Sequence, residues 1–240
     1  MNNSKVSVVM PVFNAEKFIA EAIESVLSQS FKDFELVIID DGSTDRSAEI
    51  ISRFKDKRII KLSNYQNLGL VPSLNKCLKI SKGVYIARVD ADDLNDKDRF
   101  RKQVDFLDKN SKYNLVGSNA LLINDLGKII GKIKNPEKDP KIRRDVIKWS
   151  NVVLHPSIMA RRKDIEMVGS YRSFFNKGAE DYDLWFRLLS RGKFYNIQDN
   201  LIKRRYHGEA YTRKFHFRVE LMALIARLVN LPTYIMHIND

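Results

Sequence analysis

Residues 6–45 read VSVVMPVFNAEKFIAEAIESVLSQSFKDFELVIIDDGSTD, and this stretch decides the fold class. Val6 to Met10 reads as a buried strand, and Phe18, Ile19, Ala22, Ile23, Val26 and Leu27 then recur every three or four residues, as one face of a helix does. Phe34 to Ile39 repeats the strand signal. The polar DGSTD segment supplies turn and capping residues before a helix over Ser47 to Phe54.

The same alternation continues outward. Ile59 to Leu62 is a third strand, and Leu70 to Ile80 is helical in pattern, with Pro72 tolerated in the first turn and Gly83 as a stop. Val84 to Val89 is a fourth strand. Strands alternating with helices predict βαβ units, right-handed crossovers and an α/β fold with a Rossmann-like, mostly parallel sheet flanked by helices. Further along, Leu115 to Ile123 reads as paired strand, Asp125-Leu126-Gly127 as a turn, and Asp139 to Trp149 as a helix. Asp181 to Ser190 has helical spacing, with Gly192 as a stop. Lys193 to Ile197 and Leu201 to Tyr206 read as two strands, and Phe215 to Val229 as an amphipathic helix.

No repeat, low-complexity tract or linker interrupts the 240 residues, so one domain over 1–240 is expected. Within it, 1–120 would form a ligand-binding half, 121–212 a second subregion and 213–240 the C-terminal helix. With 44% hydrophobic and 30% charged residues, disorder and a coiled coil are excluded as the main state. The net charge of +12 is uneven, +2 over residues 1–120 and +10 over 121–240, which points to an anionic partner or to simple solubility. A lone cysteine, Cys77, reads as a buried thiol in a reducing compartment. No signal peptide and no apolar run near ~18 residues is present, so a cytoplasmic protein is expected, meeting a membrane only from its surface.

In open α/β sheets ligands bind beyond the carboxyl ends of the strands. Three of the strands run there into polar residues: Pro11 to Asn14, Asp40-Asp41-Gly42-Ser43, and Asp90-Ala91-Asp92-Asp93. Oxygen-only ligands suit a hard cation, Mg²⁺ or Mn²⁺, that also binds substrate phosphates. A solvated turn or helix cap is the plain reading of D-x-D alone. A second acidic pair on a neighbouring strand end favours the cation, because converging like charges need a counter-charge. Asp40-Asp41 is suited to hydrogen-bonding a nucleoside, or else to an Asx turn. Neither G-x-G-x-x-G nor a P-loop is present, which removes the main support for a dinucleotide enzyme or P-loop NTPase. No Cys partner or His pair at metal spacing supports zinc.

Taken in order, residues 6–45, NLGL, GVYIARVDADD, HPS and AEDYDLWFRL resemble the nucleotide-sugar glycosyltransferases of family 2, over roughly residues 5 to 207. The resemblance implies a GT-A fold and inverting transfer from a nucleotide diphosphate sugar, by family default a UDP-sugar, in cell-surface polysaccharide synthesis. It carries nucleotide binding to Pro11, Val12, Asn14, Asp41 and Asp40. Asp90 and Asp92 match the metal-bridging D-x-D, with Asp90 also at the nucleotide. Arg88 is assigned to the phosphates or to an ion pair with Asp40 or Asp92. Asp181 matches the catalytic base, while Glu180 and Asp183 read as carboxylates favoured at a helix N-terminus. His207 matches a late histidine that reaches metal or diphosphate, and His155 falls on the acceptor side or is structural. His216 and His237 are assigned nothing.

The processive synthases of this family carry Q-x-x-R-W and membrane spans. Neither is present, so transfer of a single sugar to a saccharide or lipid-linked acceptor is expected. Three other readings stand beside it. A sugar nucleotidyltransferase would need a Gly-rich loop where Pro11-Val12-Phe13-Asn14 stands, and a nucleic-acid-binding module would need interleaved aromatic and basic residues. The third is a nucleotide-sugar-binding pseudoenzyme. The partners implied are the sugar donor and the acceptor, with no nucleic acid; the C-terminal helix reads as packed on the domain or on a second copy of the chain, or else as lying on an acidic membrane surface.

Overall fold

A computed structural model describes residues 4–148, 152–206 and 216–236. In chain order the elements are β1 (Val6–Val12), α1 (Ile19–Leu27), β2 (Phe34–Asp40), α2 (Ser47–Arg53), β3 (Ile59–Ser63), α3 (Leu70–Ile80), β4 (Tyr85–Arg88) and β5 (Leu94–Asn95). There follow α4 (Arg99–Lys109), β6 (Tyr113–Ile123), β7 (Ile129–Ile133), α5 (Asp139–Ile147), β8 (Met159–Arg161) and α6 (Arg162–Met167). The chain continues with α7 (Glu180–Leu189), β9 (Lys193–Arg205) and α8 (His216–Met236).

The strands form one sheet in the order β3-β2-β1-β4-β8-β6-β9-β5, with β7 pairing the later part of β6, Ala120 to Ile123, off this path. The β1–β2, β2–β3, β1–β4 and β6–β9 ladders are parallel and carry most of the pairing, while β8, β5 and β7 pair antiparallel. This is the mostly parallel α/β sheet expected from the repeated strand–helix pattern.

The strand sequences explain the layers. Val6, Val8, Met10 and Val12 of β1 face one side, packed with α1 and with Phe100, Val104 and Leu107 of α4. Val9, Val37, Ile39 and Ile86 face the other, against Val71, Leu74 and Cys77 of α3 and the apolar face of α7. A parallel strand covered on both faces has no solvent side, so its residues are apolar without interruption, as Val8 to Met10 and Leu36 to Ile39 are. Cys77 is buried, and burial pushes its thiol up to about 12.

Several elements differ from their sequence reading. The two strands expected over 193–206 are one strand, β9, because the polar stretch at 198–200 bulges within it. Ile197 pairs with Ser118 and Asn200 with Asn119, and the Asn119 amide spans the irregularity by donating to the Gln198 carbonyl (2.7 Å). Helix α4 is hidden in sequence because two of its core-facing positions are Arg99 and Gln103, both fully buried. The Arg99 guanidinium is satisfied internally, donating to the carbonyls of Arg88 (2.9 Å) and Ile158 (3.0 Å), to Gln103 Oε1 (3.1 Å) and to Asn95 Oδ1. The last residue of the expected 139–149 helix and the first of the expected 215–229 helix lie outside the described residues.

On one face, α8 packs against α7. The junction is polar at its centre. Buried Asp183 accepts from Arg187 (2.6 Å and 3.0 Å), from Asn230 of α8 (2.9 Å) and from Arg172 (3.2 Å). Removing the carboxylate leaves the Arg187 guanidinium buried without its anion. Asp183→Ala is therefore expected to cost about 3–5 kcal/mol, read from the midpoint of urea unfolding; a loss under about 1 kcal/mol, the range of an exposed pair, would refute this account of the junction.

Candidate active site

The register sets the site. Val12 pairs with Asp40, and Val9 with Arg88, so β2, β1 and β4 end side by side at one edge of the sheet. The chain leaves all three strands there, through Phe13–Asn14, Asp41–Gly42 and Val89–Asp93.

The first two exits are tied to each other. Asn14 has a left-handed backbone (φ 50°), its Oδ1 accepts from Thr44 N (2.9 Å), and its own N–H donates to Ser43 Oγ (3.0 Å). Ala15 N donates to Ser47 Oγ (2.8 Å), and Glu16 N to Asp45 Oδ2 (2.9 Å). Val12 is buried, its carbonyl accepting from Asp41 N (2.8 Å), whereas Pro11 is half-buried. Asp40 accepts from Ser43 N (3.2 Å), closing an Asx turn.

Asp41 organises the next wall. Its carboxylate, 4% exposed, accepts from Asn64 Nδ2 (2.6 Å), Leu68 N (3.0 Å) and Gly69 N (2.8 Å). Gly42 lies so close that a Cβ there would overlap the Gln66 backbone. Asn176 braces the far side of the same loop, accepting from Val71 N (3.0 Å) and donating to the Leu68 carbonyl (3.0 Å).

Asp90, Asp92 and Asp93 each place a carboxylate oxygen within 4.8 Å of the others. Asp93 is buried. Its Oδ1 accepts from Arg205 N (2.8 Å), its Oδ2 has no hydrogen-bond partner, and burial together with the charges of Asp90 and Asp92 raises its carboxyl well above the ordinary range. A divalent cation fits such a set: three hard oxygen donors, an excess of negative charge and an unsatisfied buried oxygen. Arg88 pairs with Asp90 (2.5 Å), rather than with Asp40 or Asp92, and its Nε is buried without a partner.

The backbone of this cluster hangs on Arg205. Its guanidinium, under the ring of Phe18 (4.4 Å), donates to the carbonyls of Asp92 (3.0 Å), Asn124 (3.1 Å) and Asp125 (2.9 Å). His207, two residues on, lies outside the described residues.

The start of α7 faces the same charges. Ala179, with φ 61°, turns the chain into Glu180 and Asp181. Burial and the charge of Glu180 raise the Asp181 carboxyl, with His155 and Arg88 opposing. Glu180 is raised by burial too, with Asp90 adding to the shift and Arg88 resisting it. His155 is buried, its Nε2 2.7 Å from the Tyr171 hydroxyl and its Nδ1 3.6 Å from Glu180 Oε1. Burial, helped by Arg88, lowers its pKa to about 3, so the ring is neutral. Arg88, Asp90, Glu180, Asp181 and His155 thus form one electrostatic unit, drawn from β4, α7 and the segment before β8. Asp183 stands apart in the α7–α8 junction. Arg205, Tyr171 and Asn176 are absent from the sequence reading, since a lone Arg at a strand end or Asn in a loop has no spacing to mark it; Gly69, at φ 95°, is the one local sign of the loop Asn176 supports.

Comparison with known proteins gives the chain its family. Residues 7–168 match the profile of the family described as Glycosyl transferase family 2. EpsE of Bacillus subtilis, named as a glycosyltransferase, is 36% identical over 237 residues, covering 95% of this chain and 84% of its own. The Escherichia coli protein WfaP, a UDP-Glc:alpha-D-GlcNAc-diphosphoundecaprenol beta-1,3-glucosyltransferase, is 34% identical over 190 residues, covering 78% and 71%. Among solved structures, S. aureus TarS in complex with UDP-GlcNAc superposes with a TM-score of 0.72 at 20% identity, over 92% of this chain and 66% of that one, and so shares the GT-A fold. With the profile matching two thirds of its length, the chain belongs to glycosyltransferase family 2 and is a glycosyltransferase.

Proposed function

We propose that the protein transfers one sugar from a nucleotide diphosphate sugar, a UDP-sugar, to a saccharide or lipid-linked acceptor in cell-surface polysaccharide synthesis, inverting the anomeric centre with Mn²⁺ or Mg²⁺. The observation that carries this reading is that the start of α7 and the end of β4 face one another: Arg88, paired with Asp90 (2.5 Å), lowers the Asp181 carboxyl against its burial, and Asp90 acts on Glu180 beside it. A base and a phosphate-binding edge thereby share one site. The printed activity of WfaP, with its UDP-glucose donor and diphosphoundecaprenol-linked acceptor, supports the choice of donor and acceptor class.

Residues 1–120 are assigned to the donor. Pro11, Val12 and Asn14 line one side with backbone and amide groups, and Asp40 and Asp41 the other. Three of the roughly four acceptor sites on the Asp41 carboxylate hold the 64–69 loop, leaving one for a base N–H. Asp90 and Asp92 would hold the cation, with the unpartnered Asp93 oxygen beside them and His207 as a further ligand. A divalent ion there supplies positive charge for the departing diphosphate. Arg88 adds its own, through the Nε left free by the bond to Asp90.

Asp181 is the general base. The acceptor hydroxyl attacks the anomeric carbon from the face opposite the nucleotide, the bond to the diphosphate breaks, and the hydroxyl proton passes to Asp181, so one carboxylate suffices. Its raised pKa makes it a stronger base than an ordinary aspartate, which titrates near ~3.9. His155 and Tyr171, neutral and hydrogen-bonded to each other, hold the floor beneath Glu180 without exchanging protons at neutral pH.

Four outcomes follow from these assignments. Asp181→Asn should lower kcat about 10²–10⁴-fold while Mn²⁺-dependent UDP binding, followed by calorimetry, stays within about threefold; retained transfer would remove the base assignment. Asp92→Ala should weaken UDP binding when Mn²⁺ is present and leave metal-free binding unchanged, and an affinity in Mn²⁺ equal to that of the unsubstituted protein would count against the cation role. The acid limb of kcat against pH should lie above the ordinary carboxylate value, because activity is lost as Asp181 is protonated through a raised pKa. Glu180→Gln removes a like charge and should move that limb to lower pH. A limb that stays in place would show that Glu180 does not tune the base.

A further inference from the structure

Helix α8 shows two faces. Val219, Ala226 and Asn230 lie on the side docked to the body of the protein: Val219 packs over Gly178, Ala226 is buried, and Asn230 bonds Asp183. The opposite side carries Phe217 (80% exposed), Leu221 (48%), Leu224 (36%) and Leu228 (63%). Those positions fall at i, i+4, i+7 and i+11, one continuous stripe of a helix. On the docked side the segment before α7 meets the helix, Arg172 reaching Asn230 and Gly178 touching Val219, and Phe174 of that segment is itself 65% exposed. An exposed apolar stripe of this kind marks a docking surface rather than ordinary surface chemistry.

Charge decides what docks there. The segment that meets the helix and the helix itself are rich in basic residues: Arg172 and Lys177 in the former, Arg218 and Arg227 in the latter, against Glu220. In the chain Arg213 and Lys214 precede the helix, and residues 121–240 carry +10. A second copy would bring another +12 toward this charge, whereas anionic headgroups neutralise it. Among the described residues no helix is long and apolar enough to cross a bilayer, so the contact is with its surface.

We infer that α8 lies in the plane of an anionic bilayer, with Phe217, Leu221, Leu224 and Leu228 in the acyl boundary and the flanking arginines and lysines at the headgroups. Because α8 packs on α7, and packed helices lie about 8–10 Å apart, the bilayer surface comes within one helix of Asp181. The surface thereby selects an acceptor whose sugar is presented at a membrane, which rests on the transferase reading above and narrows its acceptor class to the lipid-linked one.

The test is flotation of the full chain with vesicles of equal parts phosphatidylcholine and phosphatidylglycerol, beside vesicles of phosphatidylcholine alone. The chain should float with the anionic vesicles only, and added NaCl should release it. Leu221→Glu/Leu228→Glu, at positions already exposed, should keep its circular dichroism and its rate on a water-soluble acceptor, yet partition roughly tenfold or more weakly. Failure to float, equal floating of the double variant, or a dimer by light scattering that the variant dissolves would overturn the inference, the last in favour of a second copy. Vesicle binding lost with soluble transfer intact strikes only the membrane contact, whereas transfer absent with vesicle binding intact strikes only the transferase reading.

Discussion

Three carboxylates drawn within 4.8 Å at the end of one strand repel one another, and much of the surrounding structure answers that repulsion. Arg88 pairs with Asp90, the Arg205 backbone N–H bonds Asp93, and the Arg205 guanidinium grips the Asp92 carbonyl. Beneath them Arg99, fully buried, takes the carbonyls of Arg88 and Ile158 and so fixes β4 against the segment before β8. The buried guanidiniums of Arg99 and Arg205 are tolerated because they donate to carbonyls and side-chain oxygens, whereas Arg88 keeps one buried donor, its Nε, unmet. The arrangement holds acidic groups in place before any ligand arrives, at the cost of net negative charge in a confined volume.

The topology makes that concentration unavoidable. With β2, β1 and β4 parallel and adjacent, α1 and α2 lie on one face and α3 on the other, so the crossover direction reverses between β1 and β4. Loops diverge at such a point and leave a crevice. The Asp41 carboxylate then folds the 64–69 loop into one wall with three hydrogen bonds, and Asn176 closes that loop from the side of α7. The end of β2 and the segment before α7 are therefore coupled through a single short loop.

Much of this was legible in the residues. The β1-to-β4 alternation, the helix over Leu70–Ile80 and the polar exits from the strands follow from periodicity and turn chemistry. Other parts were not, and each has a physical reason. Helix α4 hides because Arg99 and Gln103 occupy inward positions, which inverts the hydrophobic pattern that marks a helix. The polar stretch at 198–200 imitates a turn, although the β6–β9 ladder resumes beyond it. The short antiparallel β8, inserted between β4 and β6, has only three residues and no periodicity to show. At the site, the clustered aspartates announce themselves by spacing. Arg205, more than a hundred residues away in sequence, owes its place beside Asp92 wholly to tertiary structure.

Ala179 holds a left-handed backbone at φ 61°, a conformation that costs an L-residue with a Cβ about 1–2 kcal/mol and that glycine adopts freely. It sits immediately before the helix that aims Glu180 and Asp181. Relieving the strain with glycine removes a steric penalty but also widens the range of directions in which the helix can leave the turn. This position therefore sets relief of backbone strain against the precision with which Glu180 and Asp181 are aimed.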